Sequence, residues 1–336
     1  MSTTPITRYT TAGSIRIYRI PVQVFPKLIA NIHVVVADDY VALIDTGSGL
    51  GESDTQLQAG FAALREEWGE SFGWSDLKRI IITHAHIDHY GGLTAVRTLC
   101  NAPIAVHVLD RRVLINHSER LILASRALGE FLARAGIPPE QRAEILHMYG
   151  WSKEIFRSVD VSNTLEDGDR LDGLFSIYHT PGHCPGQVCL QIDDILLTAD
   201  HVLPHTAPFL SPESITPSTG AEHYLQSLDR IKRVSGVRLA LGGHEEPIKD
   251  FDECLVRVEQ AQQHRITRVR DSCAEPRTIA ELTRTIYPTL AGYDSLMALQ
   301  KTGAYVEYLD QRGQLAIANL DEVASDATIA PRYRIV

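Results

Sequence analysis

The chain has 336 residues, of which 44% are hydrophobic and 22% charged, and its formal net charge is −10 at neutral pH. Length and composition suit one large folded domain or two, and they exclude disorder on the scale of a domain. The acidic balance disfavours nucleic acid and acidic membranes as partners, and no apolar run approaches the roughly 18–20 residues that cross a bilayer.

The opening residues lack a basic segment followed by an apolar stretch, so no secretory signal is expected. Cys100, Cys184, Cys189, Cys254 and Cys273 have no paired spacing, which favours reduced thiols and a cytoplasmic location.

Over 14–46, apolar residues alternate (Ile15, Ile17, Ile20) and then concentrate (Ile32, Val34, Val35, Val36, then Val41, Leu43, Ile44). Asp38-Asp39 has the composition of a turn, so an antiparallel meander is predicted. It empties into Asp45-Thr46-Gly47. There Asp45 reads either as a turn-former or as a carboxylate that orients a ligand histidine. Leu57, Phe61, Leu64 and Trp68 then share one face of a predicted helix.

Residues 79–92 read Arg-Ile-Ile-Ile-Thr-His-Ala-His-Ile-Asp-His-Tyr-Gly-Gly. Ile80, Ile81 and Ile82 predict a short strand buried on both faces. His84, His86, Asp88 and His89 follow at its carboxyl end, where α/β sheets place their sites. Neutral imidazole and carboxylate are the donors that a borderline ion such as Zn²⁺ accepts. Gly91-Gly92 are expected to turn the backbone. Tyr90 is a candidate for contact with a substrate oxygen, with a packing role as the alternative.

A helix over 94–99 and a strand over 103–108 come next, with His107 assigned to structure. The stretch 110–157 interrupts the β-α rhythm with two or three helices. Leu121, Leu128, Leu132, Ile145, Leu146, Met148, Tyr149 and Trp151 give it more apolar surface than a connector needs. It either packs on itself or walls an apolar substrate pocket, for which Tyr149 is a candidate.

A second run of strands, over 175–179, 188–192, 195–198 and 237–241, again ends in ligand-type residues. The tight Thr180-Pro181-Gly182 turn delivers His183. Later exits deliver Asp200-His201 and Gly242-Gly243-His244, with His201 either a site group or structural. Six or seven such residues can furnish two ions. The tail adds helices over 254–272, 278–286 and 296–310 and a hairpin at 311–314, an order resembling a winged helix. Its Arg257, Arg265, Arg268, Arg270, Arg277 and Arg284 form a basic face or an ordinary solvated helix surface.

His84-Ala85-His86-Ile87-Asp88-His89, with Asp45, His183, Asp200 and His244 in that order, resembles the metallo-β-lactamase-fold hydrolases over about 14–250. The resemblance implies an αββα sandwich spanning 1–252, with a helical insertion at about 110–157, followed by a winged-helix-like domain over 253–336. It implies that His84, His86 and His183 hold one metal ion, that Asp88, His89 and His244 hold another, that Asp200 bridges them and that Asp45 supports the set. The ions are expected to be zinc, with iron or manganese also compatible.

A hydroxide shared by two such ions is a nucleophile at neutral pH, and Asp88 is the candidate to shuttle its proton. The absence of a cysteine ligand moves the chain from the classical lactamases toward glyoxalase II, lactonases and nucleases. The expected activity is hydrolysis of a carboxylic thioester or ester, on a small acyl substrate with an apolar part. Endoribonuclease or phosphodiesterase and lactonase activities are the alternatives, and a β-lactamase or a non-catalytic binding protein ranks below them. A homodimer is compatible with the sequence.

Overall fold

A computed structural model of the protein describes residues 5–151, 153 and 155–336, with the side chain of Trp151 excepted. The alternating amino-terminal stretch forms β1 (Thr7–Thr10), β2 (Arg16–Phe25), β3 (Leu28–Ala37) and β4 (Tyr40–Ile44), joined antiparallel. Asp38 makes the β3–β4 turn at a φ of +50°, a conformation that Asp tolerates. Helix α1 (Ser53–Glu66) starts three residues earlier than the pattern over Gln56–Trp68 indicates and buries Leu57, Phe61 and Leu64.

The triple isoleucine forms β5 (Arg79–Ile82), followed by the short helices α2 (Ile87–Tyr90) and α3 (Leu93–Val96) and then β6 (Ile104–His107). The insertion comprises α4 (Val108–Ile115), α5 (His117–Arg134) and α6 (Pro139–Trp151), and β7 (Asn163–Leu165) closes the sheet. Strand order is β1 to β7 in sequence, with β4 through β7 parallel.

The second sheet holds β8 (Arg170–Leu171), β9 (Phe175–His179), β10 (Val188–Ile192), β11 (Ile195–Ala199) and, after α7 (Gly220–Ile231), β12 (Leu239–Gly242). Its last pair is parallel and the others antiparallel. Helices α8 (Phe251–Asp271), α9 (Ile279–Ile286) and α10 (Gly292–Gln311) follow, then β13 (Leu315–Ile317), α11 (Leu320–Ser325) and β14 (Tyr333–Ile335). Residues 311–314 are not a hairpin: Gly313, at a φ of +64°, ends α10, and β13 pairs across α11 with β14.

Three apolar layers hold this together. Ile17, Val35, Ile44 and Ile81 of the first sheet meet Ile177, Leu190, Leu197 and Leu241 of the second. A layer on the outer face of the first sheet packs against α1, and a layer outside the second against α5, α7, α8, α9 and α10. Each fully buried aliphatic side chain contributes about 1.5–3 kcal/mol relative to exposure, so the strand ends stand on rigid supports. This is the αββα arrangement. The α5 residues Leu128, Phe131 and Leu132 share a cluster with the carboxyl-terminal helices, so part of the insertion serves as core. Among the described residues no helix is long and apolar enough to cross a membrane.

Candidate metal centre

Strands β4, β5, β11 and β12 all end at one edge of the sandwich, and their exit loops converge there. His84, His86 and His183 bring one ligand atom each to within 4.8 Å of one another, and Asp88, His89, Asp200 and His244 do the same. The Asp200 carboxylate stands between the groups, with Oδ2 at 3.6 Å from His183 Nε2 and 3.3 Å from His244 Nε2. Asp88 Oδ2 lies 3.4 Å from His244 Nε2 and 3.8 Å from His89 Nε2.

Outer contacts fix the tautomers. His183 Nδ1–H donates to the Phe209 carbonyl at 2.7 Å, and His244 Nδ1–H to the Ile29 carbonyl at 2.6 Å. His89 Nδ1–H donates to Asp45 Oδ2 at 2.8 Å. The Thr83 hydroxyl donates to that same oxygen at 2.8 Å, leaving its own lone pair to accept from His84 Nδ1 at 3.1 Å. These four rings therefore turn Nε2 toward the centre, the arrangement by which outer groups orient metal-binding histidines. His86 is the exception: its Nδ1 faces His183 Nε2 at 2.8 Å.

The inner atoms test whether metal ions fit. His84 Nε2, His89 Nε2 and Asp200 Oδ1 are buried and have no hydrogen-bond partner, a cost that native proteins avoid unless something else satisfies the atoms. Burial and the neighbouring imidazoles hold His84 and His86 below their usual pKa, keeping them neutral as ligands must be. On the other half the carboxylates prevail over burial. Asp200, Asp45 and Asp88 raise His89, and Asp200 and Asp88 raise His244. That half attracts positive charge, which protons or a divalent cation can supply. The donor set fits two ions.

Backbone geometry supports the cup. Asp45 sits at a φ of +64°, with its amide donating to Ile81 and the next amide donating to His89. Gly91 and Gly92 turn the chain between α2 and α3 as expected, but without a left-handed residue, at φ of −61° and −75°. They are glycine because a Cβ would come within 2.2 Å of the Ser48 and Thr46 carbonyls respectively. A Cβ at Gly243 would likewise meet Asp200 Oδ1 at 2.4 Å.

Of the three pocket candidates, Tyr90 is buried, with its hydroxyl 3.1 Å from His117 Nδ1. Tyr149 lies under the Lys153 ammonium, whose Nζ is 4.0 Å from the ring centroid. His201 is fully buried, with its ring edge-on to that of Tyr224. His107 caps α4 by accepting from the Leu109 amide and stacks on His179.

Sequence reasoning missed Asp110. This fully buried carboxylate accepts at 2.8 Å from the Ala85 amide, between His84 and His86, and at 2.8 Å from the Gly186 amide in the His183 loop. Cys184 also donates to it. It thus ties together two loops that deliver ligands. Its sequence signal is slight, a single acid at the first turn of an otherwise apolar helix start. Asn31 plays a similar part for the His244 loop, donating through Nδ2 to the Gly242 and Glu245 carbonyls.

Comparison with known proteins agrees with this geometry. The family model described as the metallo-beta-lactamase superfamily matches residues 26–244. The chain is 23% identical over 287 residues to the probable metallo-hydrolase YqjP of Bacillus subtilis, covering 82% of this chain and 86% of that protein. It is 30% identical over 180 residues to the acyl-coenzyme A thioesterase MBLAC2 of Bos taurus, covering 52% of this chain and 58% of the bovine protein. Among solved structures, the metallo-beta-lactamase family protein TTHA1429 of Thermus thermophilus superposes with a TM-score of 0.76 at 25% identity, over 95% of this chain and 98% of that one.

Proposed function

The chain belongs to the metallo-beta-lactamase superfamily and is a metal-dependent hydrolase of that family, and from that premise we propose that it hydrolyses an acyl thioester carrying an anionic group. The observation that carries this reading is the mouth of the metal cup. Tyr90, next to the ligand His89, is hydrogen-bonded to His117, and His117 Nε2 donates to the Lys153 carbonyl at 3.0 Å. The Lys153 ammonium rests on Tyr149, and the hydroxyl of Tyr293 is close enough to feel Lys153, Tyr149 and Asp88 together. Among the described residues no carboxylate pairs with Lys153. A cation and three tyrosines beside the metal-binding carboxylates suit a substrate with an apolar acyl part and a negatively charged carrier. The likeness to an acyl-coenzyme A thioesterase supports the same reading.

In this reading His84, His86 and His183 hold one ion, Asp88, His89 and His244 the other, and Asp200 is shared. Zinc suits the His/Asp set best. Two divalent ions in such a cup supply Lewis acidity, activating water and polarising the scissile carbonyl. The chain's own groups do the rest. Asp88 turns Oδ2 toward the histidines, which leaves Oδ1 to take the proton of the attacking water and return it to the departing sulfur. Asp45 and the Phe209 and Ile29 carbonyls keep the imidazoles aimed, and Asp110 keeps the two histidine loops in register. Lys153 and Tyr293 orient the carrier.

We read 1–252 as the catalytic domain and 253–336 as a winged-helix-like unit; three helices followed by a two-stranded sheet support that division. Five free, buried thiols support a reducing compartment. The deciding experiment assays the zinc-loaded protein against acyl-CoA and acyl-glutathione thioesters, simple lactones and RNA. Turnover of thioesters above the others is expected. Cleavage of RNA or lactones with no turnover of any thioester overturns the reading.

A further inference from the structure

A second set of groups, which shares no residue with the metal cup, lies between α8 and α10. Gln262 and Arg265 are three residues apart on α8, and Lys301 and Tyr305 are four apart on α10, so each pair shares a helix face. The Tyr305 hydroxyl donates to Gln262 Oε1 at 2.6 Å. What remains is a surplus of donors. Gln262 Nε2 and Arg265 Nη1 are both buried without an acceptor, and Gln262 as a whole is 1% exposed.

Lys301 is partly buried close to Arg265, and burial together with that neighbouring charge pushes its ammonium down to about 8. Among the described residues, no carboxylate forms an ion pair with either cation. Turning the Gln262 amide over would satisfy one donor and still leave two like charges side by side. A cavity of about 280 Å³ opens beside Arg265, which lines it with His264, Arg268, Val269, Ile286 and Tyr287, while Gln262 and Lys301 stand behind that wall. Arg268 is already engaged, donating through Nη2 to the Ile286 carbonyl at 2.9 Å.

Two adjacent cations partly withdrawn from water without a counter-charge carry a cost. Acceptor oxygens with negative charge relieve that cost, and the planar guanidinium fork matches them. We propose that this pocket binds a phosphate-class oxyanion, held by Arg265 and Lys301, with the Gln262 amide as a neutral donor. The source is either free phosphate or a phosphate carried on a small molecule that enters from the α8–α9 cavity.

The test is calorimetric titration of the full, zinc-loaded chain with inorganic phosphate and, separately, with adenosine 3′,5′-bisphosphate. Saturable binding is expected that weakens by roughly tenfold or more in Arg265→Met and by several-fold in Lys301→Met. Hydrolase activity should stay within about twofold of the parent, since neither residue adjoins the cup. Binding of phosphate alone identifies the free ion, and binding of the bisphosphate alone identifies a carried phosphate.

Thermal melting supplies an independent readout. Phosphate should raise the melting temperature of the parent and not that of Arg265→Met, and without phosphate the variant should melt no lower than the parent. Lys301→Met, at a partly exposed position, carries the test if Arg265→Met fails to fold. Absence of binding to the parent, or binding unchanged in both variants as expected of phosphate on the metal cup, overturns the proposal.

Discussion

Asp45 and His89 are joined by a 2.8 Å hydrogen bond in which Nδ1–H donates to Oδ2, while the other oxygen of Asp45 accepts from the Thr83 amide at 2.8 Å. One carboxylate at a left-handed backbone position thereby controls the imidazole of His89 from α2 and the strand exit that carries His84. Asp45→Asn keeps the shape and tolerates the positive φ, and it loses the negative acceptor. Zinc affinity should fall about 10–100-fold, measured by competition with a chromogenic chelator. Unchanged affinity would reduce Asp45 to a turn residue.

Asp110→Ala leaves the part-buried Ala85 amide and the buried Gly186 amide without an acceptor. At about 1–3 kcal/mol for each such group, the variant should unfold at clearly lower denaturant concentration and bind zinc more weakly, because the two histidine loops lose their tie. Equilibrium denaturation with and without zinc separates the two effects.

If Asp88 moves the proton, Asp88→Asn should lose about 10²–10⁴-fold in kcat while keeping most of its metal. Metal analysis alongside steady-state kinetics decides this. Equal losses of metal and rate would make Asp88 a ligand alone.

Lys153→Met should raise KM for an acyl-CoA by roughly tenfold or more, the worth of a charged contact, with kcat little changed. The same variant should leave KM for an uncharged acyl thioester unaltered. A matching rise for both substrates would remove the ammonium from the carrier site.

Burial, reinforced by His179, lowers His107 to about 4 from an ordinary value near 6.5. The unfolded chain therefore takes up the proton first, so this residue's contribution is fully present above about pH 6.5 and declines as pH falls toward about 4. His107→Asn retains a capping side chain for α4 and removes the titration. Its melting temperature should fall less between pH 7 and pH 5 than that of the parent, measured in the metal-loaded protein.

The seven ligand-type residues were legible because each stands where an apolar strand stops, and Ile80–Ile82, Leu239–Leu241 and the 195–198 run announce their strands plainly. Less was legible where a residue acts through space. Asp110 contacts Gly186 from 76 positions away, and nothing local marks it. Gly91 and Gly92 have the composition of a turn and form one, yet the reason they must be glycine is steric and set by carbonyls of another loop. Helix α7 stands between two strands without a plain sequence signal, and Ala221, Tyr224, Leu228 and Ile231 lie buried along one face. The partner of β13 was misplaced because three residues of strand do not indicate which neighbour they will find.

Each sheet comes from one continuous half of the chain, β1 to β7 and then β8 to β12, and the candidate ligands divide the same way. His84, His86, Asp88 and His89 precede the Glu166–Asp169 turn, and His183, Asp200 and His244 follow it. A chain nicked at that turn would therefore yield two fragments that each own an incomplete coordination set. Their reassembly should be driven by added metal and reversed by a chelator, the behaviour that a metal-responsive split reporter requires.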